Sequence, residues 1–471
     1  MYIDREGIIV APATIPGTGA VSIVRISGKG CLELVDKVVR FSRGDATSSP
    51  GGRIKFGRIY SGDELVDEVL VAVFRAPHSY TGEDSAEISC HASKYIVEEI
   101  LRLLCACGAK EAGPGEFTER SFLNGKMDLA QAEAVADLIS ASGKASHKVA
   151  MDHLRGGYSN KLNELRKSLV EIAALLELEL DFSDEDVEFA DRERLKTLIE
   201  ETLAHISSLM ESFKAGNALK NGIPVAIVGP VNAGKSTLLN TLLGEDRSIV
   251  STVAGTTRDT VEESLTLGGL PFRFIDTAGI RESSDEIEKM GIDRTFRKLS
   301  EASIILGILD GSADEKSLSE AFEEIVSHCD FETQKLVILP NKMDILAGNK
   351  NVITINNIVF SIDFQKNIPV IPISAKNGDG ISELKDLLVK IGADFVDVEG
   401  ETVVTNLRHY NALASSKDAL KRVLRGLGFS LSPDLLAQDL RLALWHIGSI
   451  TGEVSSDEIL GEIFSRFCIG K

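Results

Sequence analysis

The stretch GPVNAGKST at 229–237 constrains the fold more than any other part of the chain. It matches the pattern GxxxxGK[ST], with Gly229, Gly234, Lys235 and Ser236 at the fixed positions. An apolar run, IPVAIV, precedes it and STLLNTLLG follows it, so we expect a strand, a glycine-rich loop and a helix. Such a loop aims backbone N–H groups at phosphate oxygens, while the lysine reaches the terminal phosphates and the serine hydroxyl ligates Mg²⁺. The stretch therefore predicts a nucleoside-triphosphate site.

Strands and helices alternate from residue 222 to about 390. The run ESLTLGGLPFRFID predicts a hairpin that turns at Gly268 and Gly269, and SIILGILD and KLVILPNK predict buried strands. PVIPIS predicts the last strand. Because strands separated by helices pair in parallel, we expect a doubly wound, mostly parallel sheet of the Ras-like P-loop type.

Four further motifs predict that the nucleotide is a guanine nucleotide and that it is bound with Mg²⁺. In NKMD at 341–344, the carboxylate of Asp344 can accept hydrogen bonds from guanine N1–H and the 2-amino group, a donor pair that adenine lacks. SAK at 374–376 stands where a last guanine-contacting loop belongs. DTAG at 276–279 supplies an aspartate that holds Mg²⁺ through water, and GTTRD at 255–259 a threonine that closes the Mg²⁺ shell. With the phosphate loop, five motifs in this order predict GTP hydrolysis.

The predicted GTP contacts span all five motifs and the segment before GTTRD. They are Asn232, Ala233, Gly234, Lys235, Ser236, Thr237, Ser251, Thr252, Val253, Ala254, Gly255, Thr256, Thr257, Asp276, Thr277, Ala278, Gly279, Asn341, Lys342, Asp344, Ser374, Ala375 and Lys376. Ser236 and Thr257 are the predicted Mg²⁺ ligands.

Ras-type GTPases orient the attacking water with a glutamine directly after DxxG. Here that position is Ile280, whose apolar side chain cannot orient water. Either a neighbouring carboxylate does so or hydrolysis is slow, and the candidates are Glu282, Asp285, Glu286 and Glu288. We expect most of these four to be solvated surface charges.

Asn232 is a second departure, since it places a neutral amide inside the phosphate loop. An amide oxygen cannot replace the positive charge of an arginine finger, but it can ligate a cation that does.

The chain outside this region predicts an α+β domain and a helical domain. Strand-like runs alternate with one helix-like run up to residue 121, whereas 122–216 and 393–471 carry apolar residues at helical spacing. The simplest organisation is a multidomain α/β protein in which the nucleotide domain, 217–392, is inserted into a discontinuous helical domain.

Composition bears on the partners and the cellular location that we expect for the chain. The 471 residues carry a net charge of −20, so the whole chain lacks the basic footprint of a nucleic-acid-binding protein, and an RNA contact needs a local basic patch or a partner that supplies one. No apolar run reaches membrane-spanning length, and the first residues lack the plan of a signal peptide. The six cysteines have no metal-site spacing, which predicts a reducing, cytoplasmic compartment and mostly buried thiols.

Four stretches outside the GTPase motifs carry a family resemblance. They are TIPGTGAVSIVRISG at 14–28, HSYTGEDSAEISCH at 78–91, GPGEFTERSFLNGKMDLAQAEAVADLI at 113–139 and FCIGK at 467–471. With these and the five motifs, nearly the whole chain resembles the MnmE (TrmE) family of tRNA-modification GTPases.

The resemblance implies two ligands, a folate and K⁺, and a role for several residues. A 5-formyl-tetrahydrofolate-type folate, the one-carbon source, would contact Arg25, Glu87, Lys126 and Lys471. From the residues alone, each of these would more often be an ordinary surface charge. K⁺ would be bound by Asn232, Ser251, Val253 and Thr256 and would stand in for an arginine finger. Glu288 would orient the attacking water, so that Glu288, Asn232 and Lys235 form the implied catalytic set.

The same resemblance implies partners and a product. Two G domains would associate across their switches within a homodimer, which the N-terminal domain also holds together. With the FAD-containing partner MnmG, the enzyme would modify C5 of the wobble uridine in certain tRNAs, giving aminomethyl- or carboxymethylaminomethyl-uridine. The C-terminal motif would contribute Cys468, either as a buried thiol beside the folate or in the chemistry itself.

Two alternative functions stay open. A regulatory GTPase that assists ribosome assembly, of the Era or Der kind, would carry a KH domain or a second G domain, and neither pattern is visible in the sequence. A folate-binding module without catalysis would leave the intact GTPase motifs unexplained. His91 and His446 could serve as acid–base groups, although hydrogen-bonded structural histidines are the simpler interpretation.

Overall fold

The computed structural model describes residues 7–181, 192–244, 263–275, 301–345, 368–396, 402–429, 431–454, 457–465 and 467–470. The chain divides into two compact units. The first comprises residues 1–139, 153–202 and 415–471, and the second comprises residues 140–152 and 203–414. The domain boundaries at 121, 216 and 392 stay a prediction.

The first unit contains a seven-stranded sheet in the order β3-β4-β5-β6-β2-β1-β7. Its strands are β1 (Ile9–Pro12), β2 (Gly19–Ser27), β3 (Val39–Phe41), β4 (Arg53–Ser61), β5 (Glu64–Phe74), β6 (Ser85–Ala92) and β7 (Lys110–Glu111). All neighbours pair antiparallel except β1 with β7. Alternate residues such as Val69, Val71 and Val73 are buried against α1 (Cys31–Val38) and α2 (Lys94–Ala106). The predicted α+β character of this region is confirmed.

Helices form the rest of the first unit. They are α3 (Glu116–Leu123), α6 (Gly157–Asp181), α13 (Pro433–Thr451) and α14 (Asp457–Ser465), and four more have residues in both units: α4 (Leu129–Ser140), α5 (Lys144–Leu154), α7 (Arg192–Glu211) and α12 (Leu407–Gly428). The leucine and isoleucine stripe of α6 is buried from Leu162 to Leu176, as its spacing of three and four predicts. Among the described residues, no helix is both long and apolar enough to cross a bilayer.

The second unit contains a five-stranded sheet in the order β12-β11-β8-β10-β9. Its strands are β8 (Ile223–Val228), β9 (Glu263–Leu267), β10 (Leu270–Ile275), β11 (Ile304–Asp310) and β12 (Lys335–Asn341). Only β9 is antiparallel, and it joins β10 through Gly268 and Gly269. One core joins the sheet to α8 (Phe213–Asn221), α9 (Lys235–Gly244) and α11 (Ile381–Val396), and a separate core joins it to α10 (Glu315–Ser327). This confirms the predicted doubly wound, mostly parallel sheet.

Two local expectations are wrong. From the sequence, the run KAGNALKNG at 214–222, with its two glycines and two asparagines, predicts a break after the helical region. Instead it forms most of α8, because Ala218 and Leu219 are buried in the core and tertiary packing outweighs helix propensity. PVIPIS is not a regular strand: it follows β12 through single bonds such as Ile371 N–H to Ile338 O (3.0 Å). Pro369 and Pro372 lack the N–H groups that a full ladder requires.

Candidate functional site

The phosphate loop lies between β8 and α9, at the carboxyl end of the parallel strands. Gly234 has φ 103°, and a Cβ at this position would lie 2.2 Å from Nδ2 of Asn341. Both the backbone conformation and the space therefore require glycine. Lys235 Nζ donates to the carbonyl oxygens of Gly229 (2.7 Å) and Pro230 (2.9 Å), so its ammonium lies over the loop. This geometry places the ammonium charge and the α9 N-terminus beside the loop, as phosphate binding requires.

Asn341 connects the phosphate loop to the two predicted base-binding loops. Its side chain is buried at the end of β12, where Nδ2 donates to Ala233 O (2.7 Å) and Oδ1 accepts from Ala375 N–H (2.9 Å). Thr241 of α9 donates from its hydroxyl to Ala375 O (2.7 Å), which fixes the same loop from a second direction. Three motifs that are far apart in sequence therefore meet at one side chain.

Asp344 and Ser374 form the predicted base-recognition edge. Ser374 is fully buried and its hydroxyl donates to Oδ1 of Asp344 (2.7 Å), whereas Asp344 itself is exposed. The hydroxyl fixes the orientation of the carboxylate, leaving the rest of the carboxylate able to accept from a guanine edge. Lys376 is exposed beside them.

Lys342 is held by a partner that the sequence interpretation did not include. Its Nζ lies 2.7 Å from Oδ2 of Asp310, at the end of β11, and its backbone has φ 65°. Burial opposes ionisation of Asp310, but hydrogen bonds from Lys342 and Ser312 outweigh burial and lower its pKa. The signal in the sequence was the position of Asp310 at the carboxyl end of a parallel strand, the edge at which such sheets bind ligands.

The remaining predicted nucleotide and K⁺ contacts lie outside the described residues. These are Ser251, Thr252, Val253, Ala254, Gly255, Thr256, Thr257, Asp276, Thr277, Ala278 and Gly279, and Glu288 also lies there. Of the predicted cation ligands, Asn232 and Ser236 are described. Asn232 is exposed at the loop tip with φ 61°, and Ser236 lies in the first turn of α9.

A second polar group lies on the sheet of the first unit. Arg25 of β2 stands opposite Glu87 of β6, and its Nε (3.0 Å) and Nη2 (2.9 Å) both donate to one oxygen, Oε1 of Glu87. The guanidinium also lies 5.3 Å from the ring of Tyr80 and 5.7 Å from that of Phe117. Within the described part of the chain, the other carboxylate oxygen of Glu87 accepts no hydrogen bond. A carboxylate, a guanidinium and aromatic faces together fit a flat, amino-bearing heterocycle such as a pterin.

The C-terminal motif reaches the same group. Arg25 Nη1 donates to Gly470 O (3.3 Å), and Gly470 itself, at φ 95°, lies so close to Pro12 that a Cβ would be 2.1 Å from the Pro12 carbonyl oxygen. Lys126 is exposed and donates to Pro77 O (3.0 Å), in the loop that also carries Tyr80. Lys471 lies outside the described residues.

A buried ion-pair network explains much of the stretch at 113–139. Arg120, 4% exposed at its side chain, donates to Glu116 (2.9 Å) and to Glu83 (3.4 Å). Ser27 donates to the same Glu83 carboxylate (2.9 Å), and Gly113 N–H to Glu116 (2.9 Å). Two of the stretches that carry the resemblance are therefore linked by buried charges, a structural role that sequence patterns did not reveal.

Comparisons with known proteins identify the family. A model described as the MnmE helical domain matches residues 129–468, and one described as the GTP-binding protein TrmE N-terminus matches residues 8–126. A curated relative from Bacteroides thetaiotaomicron, "tRNA modification GTPase MnmE", is 47% identical over 470 residues, which cover 99% of this chain and 100% of the relative. The chain belongs to the MnmE family. The MnmE protein of Flavobacterium johnsoniae is also 47% identical, with 99% and 100% coverage.

Solved structures of proteins with other names are similar to part of the chain. Era in complex with MgGDPNP and a 16S ribosomal RNA segment is 29% identical, covers 42% of this chain and 66% of its own, and has a TM-score of 0.29. The FeoB G-domain of Methanococcus jannaschii is 24% identical, covers 36% and 98%, and has a TM-score of 0.25.

The cysteines of this MnmE family member differ from expectation. Only Cys31 and Cys90 are buried, whereas Cys107 and Cys468 are exposed, so the prediction of mostly buried thiols is wrong. Cys468 is held by a hydrogen bond from Gly115 N–H to its carbonyl oxygen (3.4 Å). Because its side chain is exposed, Cys468 is not the buried thiol that the sequence analysis gave as one of two alternatives.

We expect iodoacetamide at pH 8 to alkylate Cys107 and Cys468 at least about a hundredfold faster than Cys31 and Cys90. Burial, reinforced by Asp84, raises the pKa of Cys31 to about 12, and burial, reinforced by Asp67, raises that of Cys90 to about 11. Because these pKa values lie well above 8, both thiols stay protonated at pH 8. They should react slowly, since the thiolate is the nucleophile. Peptide mass spectrometry measures the rates, and the denatured chain is the control in which all six cysteines should react. Equal rates in the native protein would contradict the burial.

Of the two histidines considered as acid–base groups, His91 is hydrogen-bonded to a carboxylate and His446 is partly buried. His91 Nδ1 lies 2.7 Å from Oδ1 of Asp67, and the His91 backbone N–H donates to the other oxygen. Burial, with a smaller contribution from Arg422, lowers the pKa of His446 and so favours its neutral form.

Proposed function

We propose that this chain hydrolyses GTP and uses the hydrolysis in the modification of tRNA. The observation that carries the proposal is the meeting of the phosphate loop, NKMD and SAK at the buried side chain of Asn341. This arrangement joins a phosphate-binding loop to a carboxylate, Asp344, that is oriented to accept hydrogen bonds from a base. The names of the curated relatives supply the substrate, tRNA.

The finer proposal is a reaction at C5 of the wobble uridine, performed together with the flavoprotein MnmG. The one-carbon unit comes from a tetrahydrofolate bound at Arg25, Glu87, Lys126 and Lys471, and the product is an aminomethyl- or carboxymethylaminomethyl-uridine. The pairing of Arg25 with Glu87 beside Tyr80 supports a pterin site. Burial raises the pKa of Tyr80, so its hydroxyl is neutral and shares a hydrogen bond with Thr118 (2.9 Å).

Nucleoside mass spectrometry tests this function directly. A strain that lacks the gene should lose the wobble modification, and the native chain should restore it while Lys235→Ala should not. A strain that keeps the modification but assembles ribosomal subunits incorrectly would overturn the proposal in favour of the Era-like alternative. The sequence distinguishes the two because it carries N-terminal stretches that a ribosome-assembly GTPase does not require.

The proposal includes Mg²⁺ at Ser236 and Thr257, and K⁺ at Asn232, Ser251, Val253 and Thr256. The described ligands fit these ions, because Ser236 offers a hydroxyl at the N-terminus of α9 and Asn232 offers an exposed amide at the loop tip. When bound, K⁺ supplies positive charge next to the phosphates that react.

GTP turnover should be at least about tenfold faster in K⁺ than in Na⁺, and Asn232→Ala should abolish that difference. Removing a ligand of an ion that stabilises transition-state charge costs one to three orders of magnitude. Since Asn232 has φ 61°, alanine also adds backbone strain. Asn232→Gly removes the amide without that strain, and it should lose the K⁺ effect equally. Equal native rates in the two salts would contradict the proposal.

Glu288→Ala should leave GTP affinity unchanged and slow hydrolysis by about a hundredfold, since a water-orienting carboxylate acts on the chemical step. Nucleotide binding and single-turnover kinetics separate the two effects. The matched control is Glu282→Ala, which removes a carboxylate from the same sequence segment. An unchanged rate for Glu288→Ala would show that this side chain is a solvated charge.

A cytoplasmic homodimer, whose G domains meet during turnover, completes the proposal, together with the four-part domain organisation given above. Light scattering should find a dimer in all states, and a compact G-domain pair only with K⁺ and a transition-state mimic. Catalysis that is unaffected by dilution in a monomeric protein would contradict it.

A further inference from the structure

The segment from residue 37 to 60 has a charge opposite to that of the chain. It contains six basic residues and one acidic residue, Asp45, whereas the whole chain has a net charge of −20. Five of the basic residues lie along β3, β4 and the loop between them. We call them the basic edge: Arg40, Arg43, Arg53, Lys55 and Arg58. Four of the five are exposed, and Lys55 is half-buried.

The sheet places two of these charges, Arg40 and Arg58, side by side on one face, whereas Arg53 and Lys55 project from the other face of the same edge. Strand β3 is at the outer edge of the seven-stranded sheet, and Arg40 stands directly opposite Arg58 in the β3–β4 register. Like charges in directly opposite positions destabilise a sheet. Glu68 lies 2.8 Å from Arg58, but within the described part of the chain no carboxylate lies within ion-pair distance of Arg40. The repulsion between Arg40 and Arg58 therefore persists at the protein surface, and a bound polyanion would relieve it.

Aromatic rings lie among the cations. The guanidinium of Arg40 is 4.3 Å from the ring of Tyr60, and Lys55 Nζ is 5.6 Å from that of Phe41. These contacts hold long, mobile cations at defined positions. Nucleic-acid surfaces combine cations for phosphates with aromatic and guanidinium planes on which unpaired bases stack.

We propose that the basic edge is the surface through which this chain contacts the sugar-phosphate backbone of tRNA. The identity of the RNA rests on the proposed function. The position of the contact on the basic edge rests on charge complementarity with the phosphates. It supplies the local basic patch that an acidic chain requires in order to touch RNA. A protein partner is less favoured, because docking a protein would require removing water from several exposed cations, whereas the described residues offer only Glu68 as an ion-pair partner and Asp45 as a carboxylate near Lys55.

Fluorescence anisotropy with a transcribed tRNA, measured over a series of salt concentrations, tests the surface. The variant is Arg40→Gln with Arg53→Gln, which keeps a polar, hydrogen-bonding side chain and removes two charges. The slope of log affinity against log salt should become shallower by about 1 for each lost phosphate contact, so by about 2 in total. Arg40→Lys with Arg53→Lys should restore most of the slope, since charge is retained. GTP turnover should be unchanged in both variants.

The matched control neutralises two exposed cations elsewhere, Lys196→Gln with Lys335→Gln, and should leave the salt slope unchanged. An equal loss in this control, or native affinity in the Arg40/Arg53 variant, would overturn the inference. A change of oligomeric state with unchanged tRNA affinity would also overturn it and would identify a protein interface. If the native chain binds no tRNA even at low salt, the surface inference fails alone, because the nucleoside analysis judges the proposed function independently.

Discussion

Asp344→Asn should weaken GTP binding by about a hundredfold to ten-thousandfold and make xanthosine triphosphate the better ligand. The carboxylate is oriented by the Ser374 hydroxyl (2.7 Å), and its acceptor capacity matches the two donors on the guanine edge. A hydrogen bond to a charged group contributes about 1.5–3 kcal/mol, so two lost bonds give this range. An asparagine amide meets those donors with its own N–H group, whereas xanthine has a carbonyl in place of the 2-amino group.

Fluorescent-nucleotide titration gives both dissociation constants. Asparagine retains an oxygen that can accept from Ser374, so the loop should stay folded in the variant. Asp379→Asn is the matched control: its carboxylate is exposed in the same loop, and only its backbone oxygen bonds Ser374, at 3.0 Å. Unchanged GTP affinity in Asp344→Asn would place the base elsewhere and would remove the support for guanine specificity.

Arg120→Ala should destabilise the first unit by about 3–5 kcal/mol. Removing the guanidinium leaves the carboxylates of Glu83 and Glu116 partly buried without their counter-charge, and breaking a buried pair in this way typically has such a cost. Since a chain with two units need not unfold in one step, the measurement should be local. Hydrogen exchange in α3 and in the loop 79–84 should lose about two to four orders of magnitude of protection.

Arg102→Ala is the control for this prediction. Arg102 pairs with Glu99 at 2.6 Å, but its side chain is 59% exposed, so water screens the pair and its loss should change exchange little. Equal effects of the two substitutions would mean that the Arg120 network contributes no more than a surface ion pair.

Local patterns predicted the nucleotide-binding sheet well. The strands β8, β11 and β12 are continuous apolar runs, and such runs are typical of parallel strands that are buried on both faces. The β9–β10 hairpin was visible because Gly268 and Gly269 interrupt an otherwise strand-like run. In the α6 stripe, spacing alone identified the buried side chains.

Patterns failed where long-range packing decides the outcome. Helix α8 contains Gly216, which weakens the helical signal, yet a Cβ there would lie 2.2 Å from Val404 O, so close approach of another segment explains the glycine. The pairs Asp310–Lys342 and Arg120–Glu83 join residues that are 32 and 37 positions apart. No periodicity connects such positions, so only the folded chain shows that these charges are paired.

The contact of Gly470 with Pro12 and Arg25 has a consequence during synthesis on the ribosome. The first unit begins with residues 1–139 but needs residues 415–471, and residues 140–414 are made in between. At ~5–20 residues per second, this interval lasts roughly 14–55 s. Through that time Arg25 has no Gly470 carbonyl to bond, and Pro12 of β1 lacks its contact with Gly470. A chaperone that binds nascent chains should therefore be found longer on the amino-terminal sheet than on the nucleotide-binding sheet, whose five strands all lie between residues 223 and 341.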